Sequence, residues 1–233
     1  MQRLDRRRLL SAAGAAGLLR ATDAAAALDP GLEAAGWREM TFRDKPGNRY
    51  VPDGTDGIRF ESRNSVSVAW RSLPADPSRT PVLRWRWRVD RAVPPTDLTR
   101  KGGDDRSLSV YVAFARVPER AGFLERSVRA VLGAFVGQAL PGRVLTFVWG
   151  GDGRSQGWFA NPYLPVGAKL RVLRDATAPH GVWLEERVDV GAEFRAAFGE
   201  EPPPVEQVGV GADSDDTGSE AVGAVRELVW LES

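Results

Sequence analysis

The chain contains no cysteine. That excludes disulfides, thiolate metal centres, a cysteine nucleophile and a lipid-modified N-terminal cysteine. Histidine occurs once, as His180 between Pro179 and Gly181. A lone histidine in a turn, with no serine motif beside it, supplies neither a catalytic triad nor a histidine-rich metal site, so it reads as a surface turn residue. No apolar run is long enough to span a bilayer, which takes about 20 residues, so the mature chain carries no transmembrane segment. Excess charge is also lacking. The formal net charge is +1, and setting aside residues 1–27 leaves 27 basic groups against 29 acidic ones. Without a concentrated Lys/Arg surface, nucleic acid is not an expected partner. The glycines, GGDG at 150–153 among them, lack the strand-to-helix setting of a phosphate loop.

What is present begins with an address. MQRLDRRRLLSAAGAAGLLRATDAAAALDP has a basic start, a weakly apolar stretch from Leu9 to Leu19 and an alanine-rich end. This is the pattern of an export signal. Arg6-Arg7-Arg8-Leu9-Leu10 resembles the twin-arginine type, with cleavage expected after Ala27. The passenger would be a periplasmic or secreted protein that folds before export. With 42% hydrophobic and 27% charged residues, the whole chain has the composition of a folded protein, and the length of the remaining 28–233 suits a single domain.

Apolar and polar residues alternate in segment after segment, separated by Gly, Pro, Asn and Asp, which predicts short strands. The pattern begins at Ile58 and Phe60. SVSVAW then sets Val66, Val68 and Trp70 opposite Ser65, Ser67 and Ala69. VLRWRWRVD follows, with Leu83, Trp85, Trp87 and Val89 on one face and Arg84, Arg86, Arg88 and Asp90 on the other. SLSVYVAF puts Leu108, Val110, Val112 and Phe114 opposite Ser107, Ser109 and Tyr111. Segments at 143–149, 169–173, 181–190, 208–212 and 225–231 complete the set. Strands apolar on one face belong to antiparallel sheets with one wet side, and the expected fold is mainly β: a jelly-roll-like antiparallel sandwich. Two stretches break the rule. Leu124, Val128, Val131, Leu132, Phe135 and Val136 recur at helical spacing, predicting a helical insertion over about 119–140. AEFRAAFGE at 192–200 predicts a short helix ending at Gly199.

Four groups of residues could carry chemistry. The first is the arginine row. On the strand at 183–190, Trp183, Glu185, Arg187 and Asp189 face outward, and if the two strands share a sheet, Glu185 and Asp189 can pair with the arginines. Alternatively Arg84, Arg86 and Arg88, with Tyr111 and Trp183 and the small Ser65, Ser67, Ser107 and Ser109, would make a binding face for a glycan or other anionic small ligand. Glu185 and Arg187 would then orient the arginines. The second is the turn VGVGADSDDTGSE, whose Asp213, Asp215 and Asp216 could ligate a structural calcium ion, although Asp and Gly are also ordinary turn residues. The third is Asp104 and Asp105, which could join Glu185 as the carboxylate pair of a polysaccharide hydrolase or lyase. The fourth is Asn161-Pro162-Tyr163, a turn whose Tyr163 could edge a pocket with Trp158 but for which core packing is the expectation.

WRWRV, GDDRSLSVYVAF, PGRVLTFVWGG, NPY, WLEERVDVGAEFRAAFGEEPP and GVGADSDDTG, in this order, resemble a bacterial family catalogued as domain of unknown function 3047. The resemblance runs from Pro52-Asp53-Gly54 to the last strand and implies an exported protein with a carboxylate-bearing turn after an FGE-type helix. It supplies no catalytic residues. The chain departs from the family pattern at AVGAVREL, where a Tyr-rich segment would stand. The order of strand, Asp-rich turn and strand is also similar to that of jelly-roll carbohydrate-binding modules. The resulting expectation is a noncatalytic sandwich that binds a glycan or polar envelope ligand, with a polysaccharide hydrolase or lyase and a scaffold for a partner protein as alternatives.

Overall fold

A computed structural model describes residues 28–115 and 142–232. The expected export signal and the expected helix at 119–140 lie outside the described residues. Among the described residues, twelve strands form two sheets. The seven-stranded sheet runs β1 (Arg38–Thr41), β4 (Val66–Ala75), β11 (Val205–Asp213), β6 (Arg106–Phe114), β7 (Val144–Trp149), β9 (Ala168–Arg174) and β8 (Phe159–Ala160). The five-stranded sheet runs β10 (Leu184–Asp189), β5 (Val82–Arg91), β12 (Glu220–Leu231), β3 (Gly57–Arg63) and β2 (Arg49–Asp53). Every pairing is antiparallel except β7 with β9. The protein is therefore a mainly β, two-sheet sandwich, as its alternation predicts. Three strands escaped that prediction: β1 and β8 are very short, and β2 carries Pro52. A short helix α1 (Pro30–Ala34), capped by Asp29, also lacks an apolar period long enough to read. None of the described helices is long and apolar enough to cross a membrane.

Strand β5 shows why the two sheets meet. Leu83, Trp85, Trp87 and Val89 are fully buried, while the arginines between them face out. Trp85 packs on Phe147 and Trp87 on Trp149, both from β7, with ring centroids 5.6 and 5.4 Å apart. These aromatic contacts join the sheets; truncating such a ring costs about 3–5 kcal/mol. At the rim, Glu186 of β10 turns inward and accepts from Trp87 Nε1 at 3.0 Å and Arg174 Nε at 2.7 Å, so a carboxylate spans β5 and β9. A second helix, α2 (Val190–Phe198), seals one end through Phe194, which lies 4.5 Å from Phe114. It ends at Gly199 in a left-handed conformation, as predicted, but starts two residues early because Asp189 caps it by accepting from Ala192 N.

The seven-stranded sheet departs from the expectation of one wet face. Strand β7 is buried at all six positions, and Ser107, Ser109 and Thr146 are buried as well. The cause is the connection from β5 to β6, which folds back over the sheet: Leu98 packs on Val148 and Leu170, and Val93 N donates to Ser107 Oγ. Strand β4 is also inverted relative to its predicted phase. Ala69 belongs to the main core, whereas Trp70 lies on the opposite face beside Tyr111. Gly209 makes this possible, since a Cβ there would stand 2.8 Å from the Trp70 ring. The inward Ser67 is accommodated by a buried polar cluster in which its Oγ accepts from Asn48 N and its carbonyl accepts from Tyr50 Oη.

Candidate functional site

The arginine row lies on the outer face of the five-stranded sheet. Strand β10 pairs with β5 so that Glu185 stands opposite Arg86 and Arg187 opposite Arg84, which fulfils the expected shared sheet. The charge partners differ. Glu185 is exposed and makes no ion pair among the described residues, and Asp189 is occupied as the α2 cap. The carboxylate at the centre is Glu227 of β12, lying 3.8 Å from Arg84, 3.7 Å from Arg86 and 3.5 Å from Arg226. A bulge puts it there: the β12–β5 register shifts between Arg226 and Val229, and Glu227 has φ 57°, so Arg226 and Glu227 both reach the outer face. Asp90 holds the other end of the row, 2.7 Å from Arg88 and 3.2 Å from Arg59 of β3.

Trp183 adjoins the row as expected, but its ring carries guanidinium groups. Arg226 sits 4.1 Å and Arg88 4.9 Å from the ring centroid. Such cation–π contacts are worth about 0.5–1 kcal/mol at exposed sites and hold the forks in place. Tyr111 does not belong to this face. It sits on β6 in the other sheet, 5.4 Å from Trp70, because β5 and β6 are joined by a crossover between sheets. Ser65, Ser67, Ser107 and Ser109 are likewise buried in or against the seven-stranded sheet. The centre of the face thus consists of Arg59, Arg84, Arg86, Arg88 and Arg226 paired with Glu227 and Asp90, with side chains of the row about a quarter to a third exposed; Glu185 and Arg187 stand beside it on β10, and Glu61 of β3 pairs with Arg49 and Arg63.

The carboxylates of the two Asp-rich stretches converge elsewhere. Asp104 and Asp105 precede β6, and Asp213 ends β11; the β11–β6 register sets Asp213 opposite Arg106. Arg106 bridges Asp104 at 3.0 Å and Asp213 at 2.9 Å in a buried triad. Asp105, fully buried, accepts from Asp216 N, Thr217 N and Thr217 Oγ1 at 3.2, 2.8 and 2.5 Å. Lys45 pairs with Asp215. Burial pushes the Asp213 carboxyl up to about 8; Arg106 opposes the rise, and the neighbouring Asp104, Asp105 and Asp216 reinforce it. Burial raises Asp104 as well, against the pull of Arg106.

Asp105, Asp213 and Asp215 each present one carboxylate oxygen within 4.8 Å of the others. Of the expected trio Asp213, Asp215 and Asp216, the structure brings Asp213 and Asp215 together with Asp105, whose carboxylate accepts from Asp216 N. The expected acid/base set is dissolved. Glu185 stands on the outer face of the five-stranded sheet, while Asp104 and Asp105 are buried at the start of β6 in the other.

His180 is exposed in a turn, as expected. Asn161 initiates its turn by accepting from Tyr163 N and Leu164 N. Tyr163 is 44% exposed instead of packed in the core, its hydroxyl accepting from Gly102 N, whereas Trp158 packs on Phe147 and donates to Glu193. The residues missed from sequence are Arg59, Arg226 and Glu227 on the arginine face, where Asp90 was expected, and Lys45 and Arg106 at the acidic cluster. A usable signal existed for one pair: buried Val225 and Leu228 stand three apart, which a regular strand does not allow on one face.

No curated protein matches the chain. Among solved structures it is similar to the xyloglucanase domain of NopAA, a type three effector from Sinorhizobium fredii, in complex with cellobiose. That likeness covers 85% of this chain and 95% of the other at 9% identity, with a TM-score of 0.43. A family model spanning residues 35–229, nearly the whole of the described sandwich, matches as well, and through it the chain belongs to the family described as Protein of unknown function (DUF3047).

Proposed function

We propose that the protein is an exported, noncatalytic binding protein that takes an anionic glycan on the outer face of its five-stranded sheet. The observation that supports this reading is the imbalance of charge there: Arg59, Arg84, Arg86, Arg88 and Arg226 pair with only Glu227 and Asp90, and the neighbouring Glu61 and Glu185 are outnumbered by Arg49, Arg63 and Arg187. A ladder kept only for stability would be expected to balance its charges, because exposed pairs contribute just ~0.2–1 kcal/mol each and surplus like charge works against them. Arginine forks match carboxylate, sulfate or phosphate oxygens in a bidentate manner. Their packing on Trp183 and across β5 and β12 fixes them in a row, which lowers the entropy lost on binding an extended polymer. Glu185 and Arg187 border the row on the exposed edge strand. Export rests on the twin-arginine-like leader and places the ligand in the periplasm or outside the cell. The hydrolase or lyase alternative loses its support with the separation of Glu185 from Asp104 and Asp105.

Calorimetric titration with polygalacturonate, a carboxylated glycan, and with neutral cellohexaose tests the proposal. Binding of the charged polymer alone is expected, weakening as salt rises from 0.05 to 0.5 M because the Debye length shrinks from more than 10 Å to a few Å. Arg86→Ala should weaken it roughly fivefold at low salt, corresponding to one charge contact of about 1 kcal/mol in water, without moving the unfolding midpoint by more than a few degrees. Equal binding of the neutral oligomer, or full affinity in the variant, would refute the reading.

A further inference from the structure

The carboxylates gathered at the β11–β12 turn and the start of β6 outnumber the cations beside them. Asp104, Asp105, Asp213 and Asp215 face Arg106 and Lys45. Arg106 occupies Asp213 Oδ2, while Asp213 Oδ1 is shut off from solvent and has no hydrogen-bond partner. Asp213 as a whole is only 7% exposed. A buried, unpaired carboxylate oxygen is costly, and here it belongs to a residue that also offers an oxygen to the Asp105 and Asp215 group.

From this we infer that Asp105, Asp213 and Asp215 form a binding site for a hard divalent cation of the calcium class. All the donors are carboxylate oxygens, and there is no nitrogen or sulfur among them, which selects a hard ion over zinc or copper. Oxygens on opposite sides of a calcium ion are about 5 Å apart, from bonds of about 2.3–2.6 Å, so three oxygens within 4.8 Å of one another fit around one ion. Asp105 is preorganised for ligation: three donors of the turn hold its carboxylate, and one lone pair of Oδ1 remains for a cation. The Lys45 ammonium, whose side chain is 45% exposed, holds Asp215 and can swing into solvent when a cation arrives. A bound ion would tie the 214–219 turn to the start of β6, far in sequence but adjacent in the sheet.

The test uses the purified protein stripped with EDTA and titrated calorimetrically with calcium chloride and, separately, magnesium chloride. One calcium per chain is expected, with a rise in unfolding midpoint of roughly 5–10 °C when calcium reaches about 100 times its Kd. Asp215→Asn, chosen because Asp105→Asn removes a buried acceptor of three hydrogen bonds and endangers folding, should weaken calcium binding at least tenfold. Lys45→Ala should tighten it by removing the competing ammonium. Absence of heat and of any thermal shift at 10 mM calcium overturns the site. So does magnesium binding as tightly as calcium, or an Asp215→Asn variant that is folded and binds calcium undiminished. The glycan titration is run in the absence of calcium, so either proposal can fail without the other.

Discussion

Glu227 offers the sharpest test of whether the arginine face exists for stability or for a ligand. It is the shared partner of Arg84, Arg86 and Arg226, at 3.8, 3.7 and 3.5 Å, with side chains all about 31–33% exposed. Glu227→Gln keeps the shape, the bulge and the φ of 57°, and removes only the charge. If each partly solvated pair contributes ~0.2–1 kcal/mol, and one carboxylate cannot satisfy three forks independently, the loss of stability is about 1–2 kcal/mol. Urea unfolding at pH 7 measures that directly. For an anionic ligand seated on the same forks, the variant removes one repulsive charge worth about 1 kcal/mol at 4 Å in water, or roughly fivefold in affinity. The two readings share the loss of stability and part on binding: a ligand face binds polygalacturonate more tightly, and a purely structural ladder binds nothing better. A Glu227→Gln protein with unchanged or weaker binding would refute the reasoning that the surplus guanidinium charge is held for a ligand.

Much of this face was legible because a pleated strand makes its two sides from alternate residues. Trp85 and Trp87 inside and Arg84, Arg86 and Arg88 outside follow from VLRWRWRVD alone, whereas the register that sets Glu185 opposite Arg86 comes from the structure. Glu227 did not follow, because a bulge resets the alternation within a strand. Counted by twos from Val225, Glu227 belongs inside, and only the burial of Leu228 reveals the slip. The acidic cluster was half legible: each Asp-rich turn reads as a turn, but Asp105 and Asp213 are over a hundred residues apart and meet only because β11 pairs with β6. Tyr111 and Trp70 were misplaced for a different reason. Assigning faces from polarity fails where both faces of a sheet are covered, and where Gly209 lets an indole ring lie on the side that serines would otherwise mark as wet.

Gly209→Ala examines that last point: a Cβ within 2.8–2.9 Å of the Trp70 ring and 3.0 Å of Val68 should cost about 1–3 kcal/mol by overpacking, read as a lower urea midpoint. A variant as stable as the parent would mean that Trp70 lies elsewhere. A pH-dependent effect is expected at Glu39, which stands opposite Ala69 on β1 and whose Oε1 is enclosed without a hydrogen-bond partner. Burial raises its carboxyl above the ordinary value, opposed by the Ser67 hydroxyl, so the folded state favours the protonated acid. Because the unfolded chain gives up this proton at lower pH than the folded one, the contribution to stability is complete below the ordinary glutamate value and is lost as pH rises through the folded one. Glu39→Gln holds a neutral side chain at every pH. The stability of the parent minus that of the variant should therefore fall as pH rises above the ordinary glutamate value of 4.5, other carboxylates cancelling in the difference. A difference that stays flat, or that grows with pH, would mean that the Glu39 carboxylate is stabilised in the fold and is not the strained, half-buried acid of the β1 edge.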